Sequence, residues 1–468
     1  MPELQWGGRF EVAPDAGLLA FGSSLEEDML LAPYDVACSQ AHVAALSSGG
    51  IISREATSQL NAALAHVATE VEDGTFAARA RETAAEDVHG AVDARVRVLA
   101  GRYGEQLHAG RSRNDQVATT LILYARDRAS SGRNAALEIA ALLVRRARDE
   151  LSAGTLVAAT THWQPAQPVM LAFWLGAAAE MFARSARRFG AVEADGRRFC
   201  PLGSGALSGS TLPLDRAAAA AALGFDAPSR NAMDAVGTRD VALDLAHGFV
   251  RAVLDASRVS EELVLWCTPA FGYVRLGDAA STGSSLMPQK RNPDPFELVR
   301  ANAARLNGSY AGALGTLCGL GLSYHRDLQQ TKALAMEIAE RGLHTLRAFL
   351  AALAAVEFSR PAMTERAIEG YTVATDIADA LIASGISARN AHALVGAAVS
   401  RAEREGRALN RHDLALLASQ AELASLDAPL TALESARAKQ TTGSTSPEAI
   451  AIHLDSVEAE LRSLSQSA

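Results

Sequence analysis

The chain has 468 residues, of which 49% are apolar and 5% aromatic, with 44 basic and 53 acidic side chains giving a net charge of −9. That length predicts roughly two to four domains with a sizeable core. The acidic balance argues against nucleic acid and anionic membranes as partners, but not against an anionic substrate held by local cations.

Abundant alanine and leucine, the strongest helix formers, predict an all-α fold. The opening Met1-Pro2-Glu3-Leu4-Gln5-Trp6 lacks the basic and apolar regions of a signal peptide, and no apolar run approaches the length of a membrane span. Cys38, Cys200, Cys267 and Cys318 are widely spaced among apolar or small neighbours, which reads as buried free thiols in a reducing compartment. A cytoplasmic protein is expected.

In chain order, residues 1–108 mix short helical patterns with turns such as Ser47-Ser48-Gly49-Gly50 and Glu72-Asp73-Gly74. From Asp115 to about Leu151, Val117, Leu121, Tyr124, Ile139, Leu142 and Leu143 recur at helical spacing. A second long helix is expected from Gln167 to Phe189, opened by Pro168. Pro201 to Pro213 is a glycine- and serine-rich loop that reads as too polar for the core. Further helices are expected at Val241–Trp266, Asp294 to about Leu317, and Asp327–Val356, with alternating strand patterns nearly absent. Long helices with short loops predict an antiparallel bundle. Pro361 then marks a boundary, dividing the chain into an N-terminal domain (1–108), a central bundle with a catalytic loop (109–360) and a small C-terminal helical domain (361–468).

Three polar segments are each expected to lead directly into a long apolar helix: His108 to Gln116, Thr160 to Pro168, and Ser281 to Pro293. The third joins Gly283-Ser284-Ser285 to Lys290, with Asn292 as an expected N-cap and Pro293 as a first helical residue. A flexible hydroxyl-rich segment, a lysine and a helix N-terminus together suit a carboxylate. Taken singly, each segment reads better as an ordinary capped helix start, and it is the occurrence of three in one chain that reverses that reading. Together Arg111, Arg113, His162 and Lys290 would make an anion-attracting pocket, and association of subunits would bring helix starts from different chains together.

The string Gly283-Ser284-Ser285-Leu286-Met287-Pro288-Gln289-Lys290-Arg291-Asn292 resembles the signature of the fumarase/aspartase superfamily. Trp6-Gly7-Gly8-Arg9-Phe10, Gly110 to Thr119, Pro201 to Leu207 and Tyr324 to Gln329 resemble, more narrowly, the argininosuccinate lyases, a family that includes the eye-lens delta crystallins. The resemblance runs from Trp6 to beyond Tyr371. It implies a three-domain fold whose central helices assemble into a homotetrameric core with sites shared between subunits. The implied reaction is cleavage of argininosuccinate to arginine and fumarate, in arginine biosynthesis, needing neither metal nor organic cofactor.

By the same resemblance Ser284 is the base and His162 the acid serving the departing nitrogen. Lys290 and the helix N-terminus must favour a Ser284 alkoxide, since a neutral hydroxyl is a weak base, whereas an imidazole ordinarily titrates close to working pH. Glu297 is implied as the histidine's carboxylate partner, or equally a first-turn acid complementing its helix. Ser24, Asn114, Thr161, Tyr324, Gln329 and Lys332 are implied to hold the substrate. Arg111, Arg113 and Asn292 suit its carboxylates. Ser112, Gln164 and Arg326, in the same segments, complete the set. His89 is a further candidate with a structural role equally open, and His108 is secondary.

The chain departs from the family's usual residues at Ala109, Phe173, Gly237-Thr238, His325 and Gln330-Thr331, the last replacing an acidic pair beside Lys332. Two other functions stay open on the sequence. One is a sister lyase releasing fumarate from adenylosuccinate, aspartate or malate. The other is a non-catalytic structural homologue of the lens type, against which the presence of both Ser284 and His162 argues.

Overall fold

The computed structural model of the chain describes residues 15–83 and 85–466, so the Trp6–Phe10 segment lies outside the described residues. The helices follow in order as α1 (Ala16–Gly22), α2 (Leu25–Asp28), α3 (Ala32–Ser48), α4 (Arg54–Glu72), α5 (Thr75–Arg81) and α6 (Val88–Ala100). The long ones come next: α7 (Arg113–Ala153), α8 (Leu171–Arg198), then short α9 (Arg216–Ala222) and α10 (Ala232–Gly237), α11 (Asp240–Trp266), α12 (Asp294–Gly315) and α13 (Leu328–Ala354). The C-terminal helices are α14 (Arg360–Arg366), α15 (Ala374–Ala383), α16 (Ala388–Arg404), α17 (Arg411–Gln420), α18 (Ala432–Ala438) and α19 (Pro447–Gln466). The fold is all-α, and α7 alone, with 41 residues, is about 60 Å long. No helix among the described residues is long and apolar enough to cross a membrane.

Caps set several starts: Ser53 accepts from the Ala56 N–H at 3.1 Å and Asp87 from the Gly90 N–H at 2.7 Å. Asn410 and Thr431 each close a reciprocal capping box with the acid three residues on.

One expected helix start is corrected. Gln167 and Pro168 do not open a helix but lie in a strand, β2 (Gln164–Met170), paired antiparallel with β1 (Leu156–Thr161), and α8 begins only at Leu171. The physical reason lies in the prolines. Pro165 and Pro168 have no N–H to give, which an outer strand of a two-stranded ribbon tolerates, and each pushes its predecessor into extended conformation. The β-branched Val157, Thr160 and Thr161 suit the facing strand. The other strands are two or three residues long: β3 (Phe199–Cys200) with β4 (Ala227–Pro228), and β5 (Val274–Leu276) with β6 (Val356–Phe358).

The chain divides into two compact units. The first comprises residues 1–133, 187–251 and 302–344. Its core holds Phe189 and Phe249, ring centroids 4.8 Å apart. Three glycines make room for this pair. A Cβ on Gly132 or Gly248 would lie 2.8 or 2.9 Å from the Phe189 ring, and one on Gly342 would lie 2.8 Å from Phe249. The helix penalty of glycine is thus offset by buried aromatic surface, worth about 1.5–3 kcal/mol per side chain. A second cluster packs Cys38, Ala41 and Ala45 of α3 against Cys200, Leu202, Ala219 and Phe225. The 201–213 loop is therefore corrected as well, because residues 201–205 are buried.

The second unit comprises residues 134–186, 252–301 and 345–468. Phe349 packs between Phe182 (5.6 Å) and Phe296 (6.1 Å), and Trp174 lies 4.7 Å from Trp266. In its C-terminal part Ile377, Leu381, Val395, Leu414 and Leu417 form a separate cluster. Beside it the buried Asp413 takes Arg401 at 2.8 Å and Arg407 at 2.7 Å.

Cys38 and Cys200 are buried as expected, but Cys267 is half-buried and Cys318 is exposed, because the turn after α12 carries it to the surface.

Candidate active site

In the first unit the helix-opening turn of α7 is built around Asp115, whose carboxylate accepts the Ser112 N–H at 3.0 Å. Ser112 in turn accepts from the Asn114 N–H at 3.3 Å, and the Asn114 amide donates to the Ala206 carbonyl at 3.0 Å. Arg113 pairs with Asp87 at 3.0 Å and donates to Gln116 at 3.0 Å. Arg111 is buried and donates to Ser39 of α3 at 2.9 Å, so one of its nitrogens serves the scaffold.

A second cluster centres on Asp28, an acid the sequence reading missed. Its two oxygens take the Ser24 hydroxyl at 2.6 Å and the Lys332 ammonium at 2.5 Å, with all three side chains buried. Ser24 and Asp28 are four apart, a spacing that places them on one helical face, and this was the available signal. Lys332 thus has a carboxylate despite the missing acidic pair. Of the replacing residues, Gln330 is exposed and Thr331 is buried against the Thr316 hydroxyl at 2.5 Å. Burial pushes the Asp87 carboxyl up, but Arg113, His89, the Gly90 N–H and Lys332 together hold it below the usual range.

Arg326 donates to the Gly22 carbonyl at 2.5 Å and pairs with Glu86 at 3.2 Å, and Gln329 donates to the same carbonyl at 3.2 Å. Tyr324 lies near Arg239, which the sequence reading also passed over. Arg239 is buried, donates to the carbonyls of Val236 and Thr238, and leaves Nε and Nη2 without an acceptor among the described residues. Burial brings its guanidinium down to about 10, with the Tyr324 hydroxyl opposing.

His89 lies fully inside α6. Its Nδ1 meets Asp35 at 2.8 Å, Gln116 donates to the same Asp35 oxygen at 2.6 Å, and His89 Nε2 has no hydrogen-bond partner among the described residues. His108 is brought down to about 4 by burial first, then by Arg111 and Arg113.

The second unit carries the remaining candidates. Thr161 and Gln164 face each other at the end of the β1–β2 hairpin, and His162 and Trp163 form its two-residue turn. Both turn residues are left-handed, with φ 54° and 60°, the arrangement of a type I′ turn without its usual glycine. His162 therefore stands on an exposed hairpin tip, not beside a helix start, and only two of the three polar segments lead directly into helices.

The 281–293 loop is closed at its neck by Thr282 and Asn292, which exchange backbone hydrogen bonds at 3.2 and 2.9 Å. The Asn292 amide donates to the Thr282 hydroxyl and the Gly283 carbonyl, both at 3.4 Å. It braces the loop instead of capping α12, which starts at Asp294, one residue past Pro293. At the tip, Ser284 Oγ accepts the N–H groups of Leu286 at 3.2 Å and Met287 at 3.1 Å. Donors aimed at a hydroxyl oxygen favour its ionised form. Lys290 is exposed on the same loop, and Leu286 is 84% exposed. Glu297 is exposed in the first turn of α12 and makes no hydrogen bond to His162 among the described residues.

Comparison with known proteins adds the following. A lyase family profile matches residues 8–308, and a profile described as argininosuccinate lyase C-terminal matches 371–438. The argininosuccinate lyase of Thermus thermophilus is 40% identical over 463 residues, covering 98% of this chain and 99% of that protein. The chain belongs to the argininosuccinate lyase family. The family member from a Synechococcus species is 42% identical over 406 residues, covering 86% of this chain and 81% of its own. Among solved structures, EDDS lyase in complex with formate aligns with a TM-score of 0.79 at 25% identity, over 97% of this chain and 95% of that one. Class II fumarase from Schistosoma mansoni shares the fold, with a TM-score of 0.70 at 15% identity over 83% and 87% of the two chains. This family member is accordingly a lyase with the fumarase/aspartase fold.

Proposed function

We propose that the protein cleaves argininosuccinate to L-arginine and fumarate by acid/base anti-elimination, serving arginine biosynthesis in the cytoplasm. The observation that carries the reading is full-length identity near 40% to argininosuccinate lyases in a chain that keeps every proposed functional group. His162 protonates the leaving guanidinium nitrogen, and Glu297 holds and polarises its imidazole. Ser284 takes the proton from the carbon beside a carboxylate. Its alkoxide is favoured by the two N–H groups already aimed at Oγ and by Lys290. Thr161, Gln164 and Asn292, with Ser24, Arg111 to Asn114, Tyr324, Arg326, Gln329 and Lys332, fix the carboxylates and the arginine end.

The protein acts as a homotetramer whose sites draw on more than one subunit. Helix α12 supports association, since Ala301, Ala304, Gly308, Ala311 and Gly315 are exposed at alternating spacings of three and four residues. Such a small-residue seam suits close packing against another helix.

The test is fumarate release, followed by its ultraviolet absorbance, from argininosuccinate, adenylosuccinate, malate and aspartate. Turnover of argininosuccinate is expected. Turnover of another substrate in its place would move the protein to a sister activity. Ser284→Ala and His162→Asn should each lower kcat by about 10² or more with KM comparatively unchanged.

A further inference from the structure

We propose that Asp115 is a positioning residue that holds the substrate-binding turn Ser112–Asn114 in place by clamping it to the buried Gly203-Ser204-Gly205 segment. This rests on the argininosuccinate reading of that turn.

Asp115 is completely buried, and three backbone N–H groups converge on its carboxylate. Ser112 donates at 3.0 Å from the same turn, while Gly203 and Gly205 each donate at 2.9 Å from a segment about ninety residues away. The Ser204 N–H between them goes to the Pro201 carbonyl at 3.0 Å, so the two glycine N–H groups converge on one point as an anion-binding concavity, and here the anion is the protein's own. Gly203 (φ 83°) and Gly205 (φ 61°) adopt the left-handed backbone such a concavity needs.

Space as well as backbone angle is restricted there. A Cβ on Gly203 would lie 2.7 Å from Arg216 Cγ, and one on Gly205 would lie 2.7 Å from the Gly209 carbonyl oxygen. Arg216 closes the segment from the other side, donating to Leu202 O at 3.0 Å and Ser204 Oγ at 3.1 Å. One residue further on, Ala206 O receives the Asn114 amide. The carboxylate therefore joins two segments, one of which carries Ser112, Arg113 and Asn114. The charged and titratable groups facing it are Arg111 and Arg216, with the buried thiols of Cys38 and Cys200. No group of Asp115 faces solvent, so it acts only through the residues it holds.

The experiment combines hydrogen exchange of the peptide spanning residues 201–209 with steady-state kinetics on argininosuccinate, in native protein, Asp115→Asn and Gly203→Ala. An asparagine keeps the shape but turns a donor towards the N–H groups. Expected in Asp115→Asn are unchanged helix content, lost protection of 201–209, and a KM raised by about tenfold or more with a smaller change in kcat. Gly203→Ala leaves the carboxylate in place, strains the segment it clamps, and should produce the same pair of changes. It keeps the test intact if the asparagine variant does not fold.

Retained protection in folded Asp115→Asn overturns the clamp. Lost protection with an unaltered KM, or a fall in kcat alone, overturns the positioning role. The exchange arm needs no turnover. Failure of the native protein to cleave argininosuccinate would therefore strike the functional reading separately from the clamp.

Discussion

Gly237 has no room for a side chain, and its surroundings say what one would disturb. A Cβ there would lie 2.1 Å from the Leu322 carbonyl oxygen, an impossible contact that only a backbone shift relieves. The displaced segment carries Tyr324 two residues on. Gly237→Ala is expected to raise KM for argininosuccinate while leaving most of kcat, and unchanged kinetics would show that Tyr324 tolerates the shift. Asp115 makes a prediction of a different kind. Burial first, against the N–H donors and Arg111, raises its carboxyl to about 6 in the folded chain; an unfolded aspartate titrates near ~3.9. Between those values the folded state binds the extra proton. The group's contribution to stability is thus full below about pH 4 and lost as pH rises through about 6. The melting-temperature difference between native protein and Asp115→Asn should shrink across that window, and a flat difference would contradict it.

Among the elements, the β1–β2 hairpin is the most exacting, because two non-glycine residues adopt left-handed backbone at its turn. Such a residue costs about 1–2 kcal/mol. Trp163 is 52% exposed, so its ring recovers only part of that cost by packing. Trp163→Gly is expected to leave thermal stability unchanged or raise it by up to ~1 kcal/mol, and a loss larger than that would reveal a packing role for the ring. The same hairpin marks where the sequence is hard to read. Pro168 looks like a helix opener, and His162-Trp163 carries none of the Asn-Gly chemistry that announces a type I′ turn. The long helices were legible because their apolar spacing extends over many turns, as from Val117 to Leu143. Burial of Gly203-Ser204-Gly205 was not. Its composition is that of an exposed loop, and it is Asp115, nearly ninety residues earlier, that satisfies the Gly203 and Gly205 N–H groups that burial would otherwise strand. The sequence offers candidates where the motif is long, as at Ser284 and Lys290. Asp28 and Arg239 escaped because a single acid at a helix end, or a single arginine in the short link between two helices, gives no sign of what it will face.

For the molecule as a whole, the proposed sharing of sites between subunits predicts complementation. Tetramers re-formed from a mixture of Ser284→Ala and His162→Asn chains should regain activity that neither variant has alone, and absence of recovery would count against these two groups coming from different subunits. The four thiols carry another consequence. Cys38 and Cys200 are sealed in, with burial raising Cys200 to about 12, and the half-buried Cys267 is raised to about 11. Thiolate at those sites is negligible at neutral pH. Cys318 alone among them is exposed, six residues before Tyr324. Limiting maleimide dye should therefore attach at one address in the unaltered chain, giving an optical readout of whether the neighbouring segment moves when substrate arrives.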